Sequence, residues 1–154
     1  IVGGLVIIWV EKYAYAPRVQ EMDDLSYRDA LKVGLCQCLA LIPGTSRSGA
    51  TIIGGMYFGL SRKASTEFSF FLAIPMISAA SLYSLWGARD QLEWADALIL
   101  AVGFITAFIV TFAVMRALLK FISKHTYIAF AWYRIAFGIL VLITAYTGAI
   151  NWAH

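Results

Sequence analysis

The sequence predicts an all-α integral membrane protein, a polytopic bundle of helices interrupted by one re-entrant helix-loop-helix hairpin. Hydrophobic residues make up 61% of the 154 and charged ones only 14%, with a mean hydropathy of +0.77. That leaves too little polar cover for a water-soluble core of this size. Three runs, residues 68–87, 95–119 and 128–150, are apolar over roughly the 20 residues that a helix needs to cross hydrocarbon. A fourth stretch, 27–60, is long enough to cross but is broken in its middle by Pro43, Gly44 and a group of hydroxyls around Arg47. Two short arms with an irregular tip fit it better than one span, because bent backbone at membrane depth survives only inside protein or along a water-filled cavity.

Taken in order, residues 1–10 are apolar but about half the length of a span, and read as the end of a truncated helix. The chain opens at Ile1 in mid-run, without an initiating Met or a basic leader, as expected of a piece of a longer protein. Residues 11–29 carry Glu11, Lys12, Arg18, Glu21 and Asp23 with Pro17, a solvated connection in which Asp24 or Ser26 is placed to cap the next helix. The hairpin follows, with arms of roughly 27–42 and 48–60, and Gly55 to Gly59 offers a small-residue face for close helix approach. Pro75 should kink the first span, as membrane helices tolerate. Glu67 is expected to open that helix as a partner for its dipole.

Charge bias orients the spans. Arg62, Lys63, Arg116, Lys120 and Lys124 mark 61–67 and 116–127 as cytoplasmic, leaving 88–94 and the C-terminus outside. Trp9, Tyr13, Tyr83, Trp86, Trp94, Tyr146 and Trp152 fall where apolar runs end, as headgroup belts do. No linker or repeat divides the chain, so 1–154 reads as a single transmembrane domain. The net charge of +3 is scattered over short connections, which excludes a nucleic-acid surface. Cys36 and Cys38 are two apart, about 200° around a helix, which favours neither a disulfide nor a shared metal.

The chemistry concentrates in residues 43–51. Arg47 can grip two oxygens with its planar fork, Thr45, Ser46 and Ser48 offer hydroxyls, and a helix starting near Ser48 presents free amides and a positive dipole end. Thr51, one turn beyond Arg47, can face the same ligand. Thr45, Ser46, Arg47, Ser48, Gly49 and Thr51 thus form a candidate phosphate-binding set. The bland alternative is that the hydroxyls cap a helix and Arg47 neutralises a carboxylate elsewhere in the protein. Gly44 to Thr51 also mimics a Walker spacing, but Ala50 stands where the lysine belongs and no β-strand precedes it. Gln37, on the first arm, could orient a water or bond the tip backbone, and Arg134, intramembrane by sequence, could snorkel or reach a site.

Residues 43–51 have the form P-G-x-S-R-S-x-x-T, which closely resembles the signature of the bacterial undecaprenyl-diphosphatase, or bacitracin-resistance, family. The likeness extends to Gly34-Leu35-Cys36-Gln37, to residues 54–62, to Glu67-Phe68-Ser69-Phe70 and to Phe130-Ala131-Trp132-Tyr133-Arg134. The resemblance implies a multi-pass enzyme of the bacterial cytoplasmic (inner) membrane that removes the terminal phosphate of undecaprenyl diphosphate, recycling the carrier for cell-wall synthesis. It further implies half of an inverted-repeat architecture with two re-entrant hairpins. Catalytic or phosphate-binding roles would fall on Ser46, Arg47 and Thr51, with Arg47 as the main clamp. The family's acidic segment and its serine- and histidine-bearing hairpin have no counterpart in this chain. A divalent cation, Mg²⁺ or Ca²⁺, would therefore be held by carboxylates outside it, with no metal ligands inside. The implied partners are a polyprenyl diphosphate lipid, the membrane, the N-terminal half of the same protein and a second copy in a homodimer. Two rivals remain at this point: a transporter or flippase for a phosphorylated polyprenyl lipid, and a non-catalytic scaffold.

Overall fold

The computed structural model describes residues 1–89 and 96–147. Of the expected outward connection at 88–94, residues 90–94 with Trp94 lie outside the described residues, as do residues 148–154 with Trp152. Helix α1 (Val2–Trp9) continues through a π turn (Val10–Ala14) into the polar connection, which holds a short 3-10 turn at Met22–Asp24. Helix α2 (Tyr27–Gln37), extended by a 3-10 turn (Cys38–Leu41), and α3 (Arg47–Tyr57) follow, then α4 (Arg62–Ala88), α5 (Asp96–Ile122) and α6 (Ile128–Thr147). Every regular element among the described residues is helical, and α4, α5 and α6 are each long and apolar enough to cross a membrane.

Serine caps set the helix starts. Of the two candidates before α2, Ser26 is the one used, its Oγ accepting the Asp29 amide at 3.2 Å. Ser46 and Ser61 do the same for α3 and α4. Two expectations shift as a result. Helix α3 begins at Arg47 instead of Ser48, and α4 begins at Arg62, so Glu67 lies inside the helix and does not open it. Pro75 falls in the interior of α4, which continues as helix beyond it.

Helices α2 and α3 run antiparallel, with Lys32 Nζ 5.5 Å above the Phe58 ring near their base and Cys36 against Gly54 farther in. A methyl group on Gly54 would come within 2.6 Å of Cys36 Sγ, so the hairpin closes only because that position is bare. The small-residue face expected at Gly55 to Gly59 is corrected: Gly54 and Gly55 line the helix contacts, whereas Gly59, at φ +92°, makes the turn into α4. Helix α1 lies along α6, and Ile7, Val10, Ile53, Met56, Ile122, Tyr127 and Ala131 form the main core. The apolar 18-residue stretch that qualifies α5 as a span contains no buried residue, which suits a helix facing lipid or another apolar surface.

The base of the hairpin is closed by charge. Glu11 accepts from Arg62 Nε at 3.0 Å and Nη2 at 2.5 Å, and from the Tyr127 amide at 2.8 Å. Arg62 lies 4.3 Å above the Tyr15 ring. Thr66 and Tyr127 share a hydroxyl contact of 2.5 Å, so the connections at 61–67 and 116–127 meet at one end, as their shared charge bias anticipates. Burial pushes the Tyr127 phenol up to about 12, which keeps it neutral. Nearby, Arg18 pairs with Asp29 and donates to the Phe58 carbonyl at 3.2 Å, while the Ser26 hydroxyl donates to Asp29 Oδ2 at 2.6 Å. The Arg18 hydrogen bond first, then that of Ser26, holds the Asp29 carboxyl below its usual range.

Candidate functional site

The far end of the hairpin carries the polar motif. The turn from Ile42 to Thr45 is closed by the Thr45 amide on the Ile42 carbonyl at 3.0 Å, and Gly44 takes φ +86°, a conformation that an L side chain resists. Ser46 then leaves the turn in an extended conformation, and its Oγ accepts the Gly49 amide at 3.2 Å. Ser48 Oγ stands 3.3 Å from that oxygen. The first-turn amides ahead of Gly49 have no intrahelical acceptor, so an uncapped part of a positive dipole end points out of the tip.

Arg47 is the first residue of α3. It is half-buried, its Nη1 is buried, and that nitrogen has no hydrogen-bond partner among the described residues. The cap half of the bland alternative therefore holds for Ser46, while among the described residues no carboxylate meets Arg47. A buried donor left unpaired costs about 1–3 kcal/mol, more when it carries charge, which makes an anionic ligand the economical explanation.

A second guanidinium reaches the first turn of α3. Arg134, on α6, does not return to the end of its helix; its head lies between α1 and α3, with Nη2 3.3 Å from where a Gly3 methyl would stand and Nη1 3.5 Å from that of Gly49. It too lacks an acidic partner among the described residues. Gln37, on the other arm, donates from Nε2 to Met76 Sδ at 3.6 Å, a weak acceptor, while its Oε1 is buried without a partner.

Not every candidate faces this opening. Thr45 is exposed on the turn. Thr51 is fully buried: its Oγ1 lies 3.1 Å from the carbonyls of Arg47 and Ser48 and 2.6 Å from Ser69 Oγ on α4. Within this chain the Thr51 hydroxyl ties the start of α3 to α4, which corrects the expectation that it shares an open ligand face with Arg47. The structure thus gathers Ser46, Arg47, Ser48, Gly49 and Arg134, places Gln37 on the adjoining arm, and sets Thr51 beneath. Sequence reasoning passed over Ser69 and Gly3; a serine inside an apolar helix and a glycine inside an apolar run were the available signals. Ser65 Oγ, buried against Gly55, has no hydrogen-bond partner among the described residues.

No group of three or more His, Cys, Asp or Glu side chains among the described residues could hold a metal ion. What these side chains can do is bind an anion and stabilise charge growing on its oxygens.

The chain is 80% identical to the undecaprenyl-diphosphatase of Cellvibrio japonicus over 153 residues, which is 99% of this chain and 56% of that protein. It is 63% identical to undecaprenyl-diphosphatase 1 of Chromobacterium violaceum and 58% identical to the undecaprenyl-diphosphatase of Nitrosospira multiformis, again over 153 residues, covering 57% and 56% of those proteins. It therefore spans about half the length of the curated relatives it matches. The family model for the bacitracin resistance protein BacA matches residues 1–140, and with so much of the chain covered, this protein belongs to the BacA family.

Proposed function

We propose that the protein containing this chain is an undecaprenyl-diphosphate phosphatase of the bacterial inner membrane, and that the hairpin tip is one wall of its active site. The observation that carries the reading is the buried Arg47 Nη1, without a partner among the described residues, at a capped helix start in a chain so similar to proteins of that name. The reaction is attack of water on the terminal phosphorus, with cleavage of the bridging P–O bond and departure of the lipid monophosphate. Such a transition state spreads charge over the non-bridging oxygens, and positioned donors and cations supply most of the rate.

Arg47 supplies a planar fork to two of those oxygens. The Ser46 and Ser48 hydroxyls and the free amides of α3 add donors from the other side. Thr51 acts one step back: bonded to the Arg47 carbonyl and to Ser69, it fixes the backbone from which the guanidinium projects. The nucleophile's activating groups, and carboxylates for Mg²⁺ or Ca²⁺, belong in this proposal to the part of the protein outside this chain. The arms support a deep site: at 1.5 Å per residue, the 11 residues of α3 rise about 16 Å from the charged base, about half of a ~30 Å hydrocarbon core.

The test is phosphate release from undecaprenyl diphosphate by the complete protein. Arg47→Ala should lower kcat/KM by about 100- to 1000-fold, as losing one preorganised charge-stabilising donor does. An undiminished rate would refute the assignment for this site. Lost lipid translocation without hydrolysis in either protein would instead favour a flippase, since broken helices bind anionic groups in transporters too.

A further inference from the structure

We infer that the C-terminal end of α5 binds an anionic phospholipid, with Arg116, Lys120 and Lys124 gripping the headgroup and two phenylalanines before them forming a bed for an acyl chain. Phe108, Phe112, Arg116, Lys120 and Lys124 recur every four residues, the spacing that lines side chains up as one ridge along a helix. The ridge outlasts α5 itself, because the Ser123 amide still reaches the Leu119 carbonyl at 3.0 Å beyond the helix end at Ile122. All five residues are exposed. The Phe108 and Phe112 rings stack at 6.3 Å, and the Arg116 guanidinium lies 4.5 Å from the Phe112 ring centroid, so the apolar half of the ridge runs directly into the basic half.

Charge decides the occupant. At the same end of the molecule the cations that open α4 are matched, Arg62 by Glu11 and Lys63 by Glu21. Arg116, Lys120 and Lys124 form no ion pair among the described residues. The acid of α5, Asp96, is its first residue, roughly 30 Å from Arg116 along the axis. Three cations a turn apart repel one another, and an oxyanion set among them relieves that repulsion. A phospholipid supplies both complements in one molecule: a phosphate at the level where hydrocarbon ends, and chains that lie along an unburied apolar helix. A free phosphate ion would use the cations and leave the rings idle. The positive-inside bias puts this end in the cytoplasmic leaflet, whose anionic lipids attract such basic clusters.

The experiment measures the lipid retained by the full-length protein purified from detergent micelles holding equal amounts of phosphatidylglycerol and phosphatidylcholine. The wild type should retain phosphatidylglycerol preferentially, and less so as salt is raised. Lys120→Gln and Lys124→Gln should each cut the preference about fivefold, and the two combined with Arg116→Gln about 100-fold. Lys120→Arg keeps the charge and should preserve the preference; Lys63→Gln removes a cation that is already matched and should preserve it too. Equal retention of the two lipids by the wild type, or an undiminished preference in the triple variant, overturns the inference. Should the triple variant not fold, the single variants decide by the same criterion. Loss of bound phosphatidylglycerol to inorganic phosphate, but not to chloride at equal ionic strength, would show that any phosphate serves and would overturn the lipid assignment.

Discussion

The two ends of the α2–α3 hairpin treat arginine in opposite ways. At the base, Arg62 and Arg18 are matched by Glu11 and Asp29, and the remaining oxygens are met by the Tyr127 amide and the Ser26 hydroxyl. At the tip, Arg47 and Arg134 meet no acid among the described residues, and polar atoms of Arg47 and Gln37 are buried without partners. A matched ion pair seals structure; an unmatched cation inside an apolar chain is held for something that arrives later. The base should therefore govern stability and the tip activity.

The widest separation is expected from Arg47→Ala, which should cost the complete protein about two to three orders of magnitude in kcat/KM while leaving its melting temperature within a few degrees of wild type. A collapsed fold in that variant would make Arg47 a structural residue. The reverse holds for Glu11→Gln. Stranding the Arg62 charge should destabilise the protein by about 3 kcal/mol, read by thermal or denaturant unfolding, with KM unchanged for the folded fraction.

A smaller effect is expected at Thr51, which joins the two regimes. Thr51→Val keeps the shape but leaves Ser69 Oγ unpaired in a buried seam, at a cost of about 1–2 kcal/mol, with a several-fold drop in kcat as the start of α3 loosens. An activity loss as deep as that of Arg47→Ala would show that the hydroxyl touches substrate.

The smallest effect concerns acid. Asp29 is held low, so its contribution is complete above the ordinary carboxylate range near pH 4 and disappears as pH falls through its lower native value. Proteolysis of the connection between α1 and α2 should accelerate only below about pH 4, and Asp29→Asn should flatten that profile. An identical profile in the variant would remove Asp29 from the seal.

The spans and the broken hairpin were legible because they rest on local signals: unbroken apolar length, and a Pro-Gly step with hydroxyls where no soluble loop belongs. The position of Arg47 was legible for the same reason. What could not be read is whatever depends on contacts between distant segments. Arg62 finds Glu11 across 51 residues, Thr51 turns to Ser69 because α4 packs on its face of α3, and Arg134 reaches Gly49 because α1 has a bare Gly3 at that level. Helical spacing allows Thr51 and Arg47 one face, yet it could not say that α4 covers Thr51. Glu67 was misplaced by a boundary shift, because Ser61 caps α4 well before its apolar run begins.

Whether the tip waits for an anion can be measured as the melting temperature of the purified full-length protein with and without inorganic pyrophosphate. A ligand that binds only the folded state raises it in proportion to RT ln(1 + [L]/Kd). The wild type should show a saturable rise that Arg47→Ala abolishes and that Glu11→Gln, though starting lower, retains. Equal rises in wild type and Arg47→Ala, or none in either, would mean that these arginines hold no ligand.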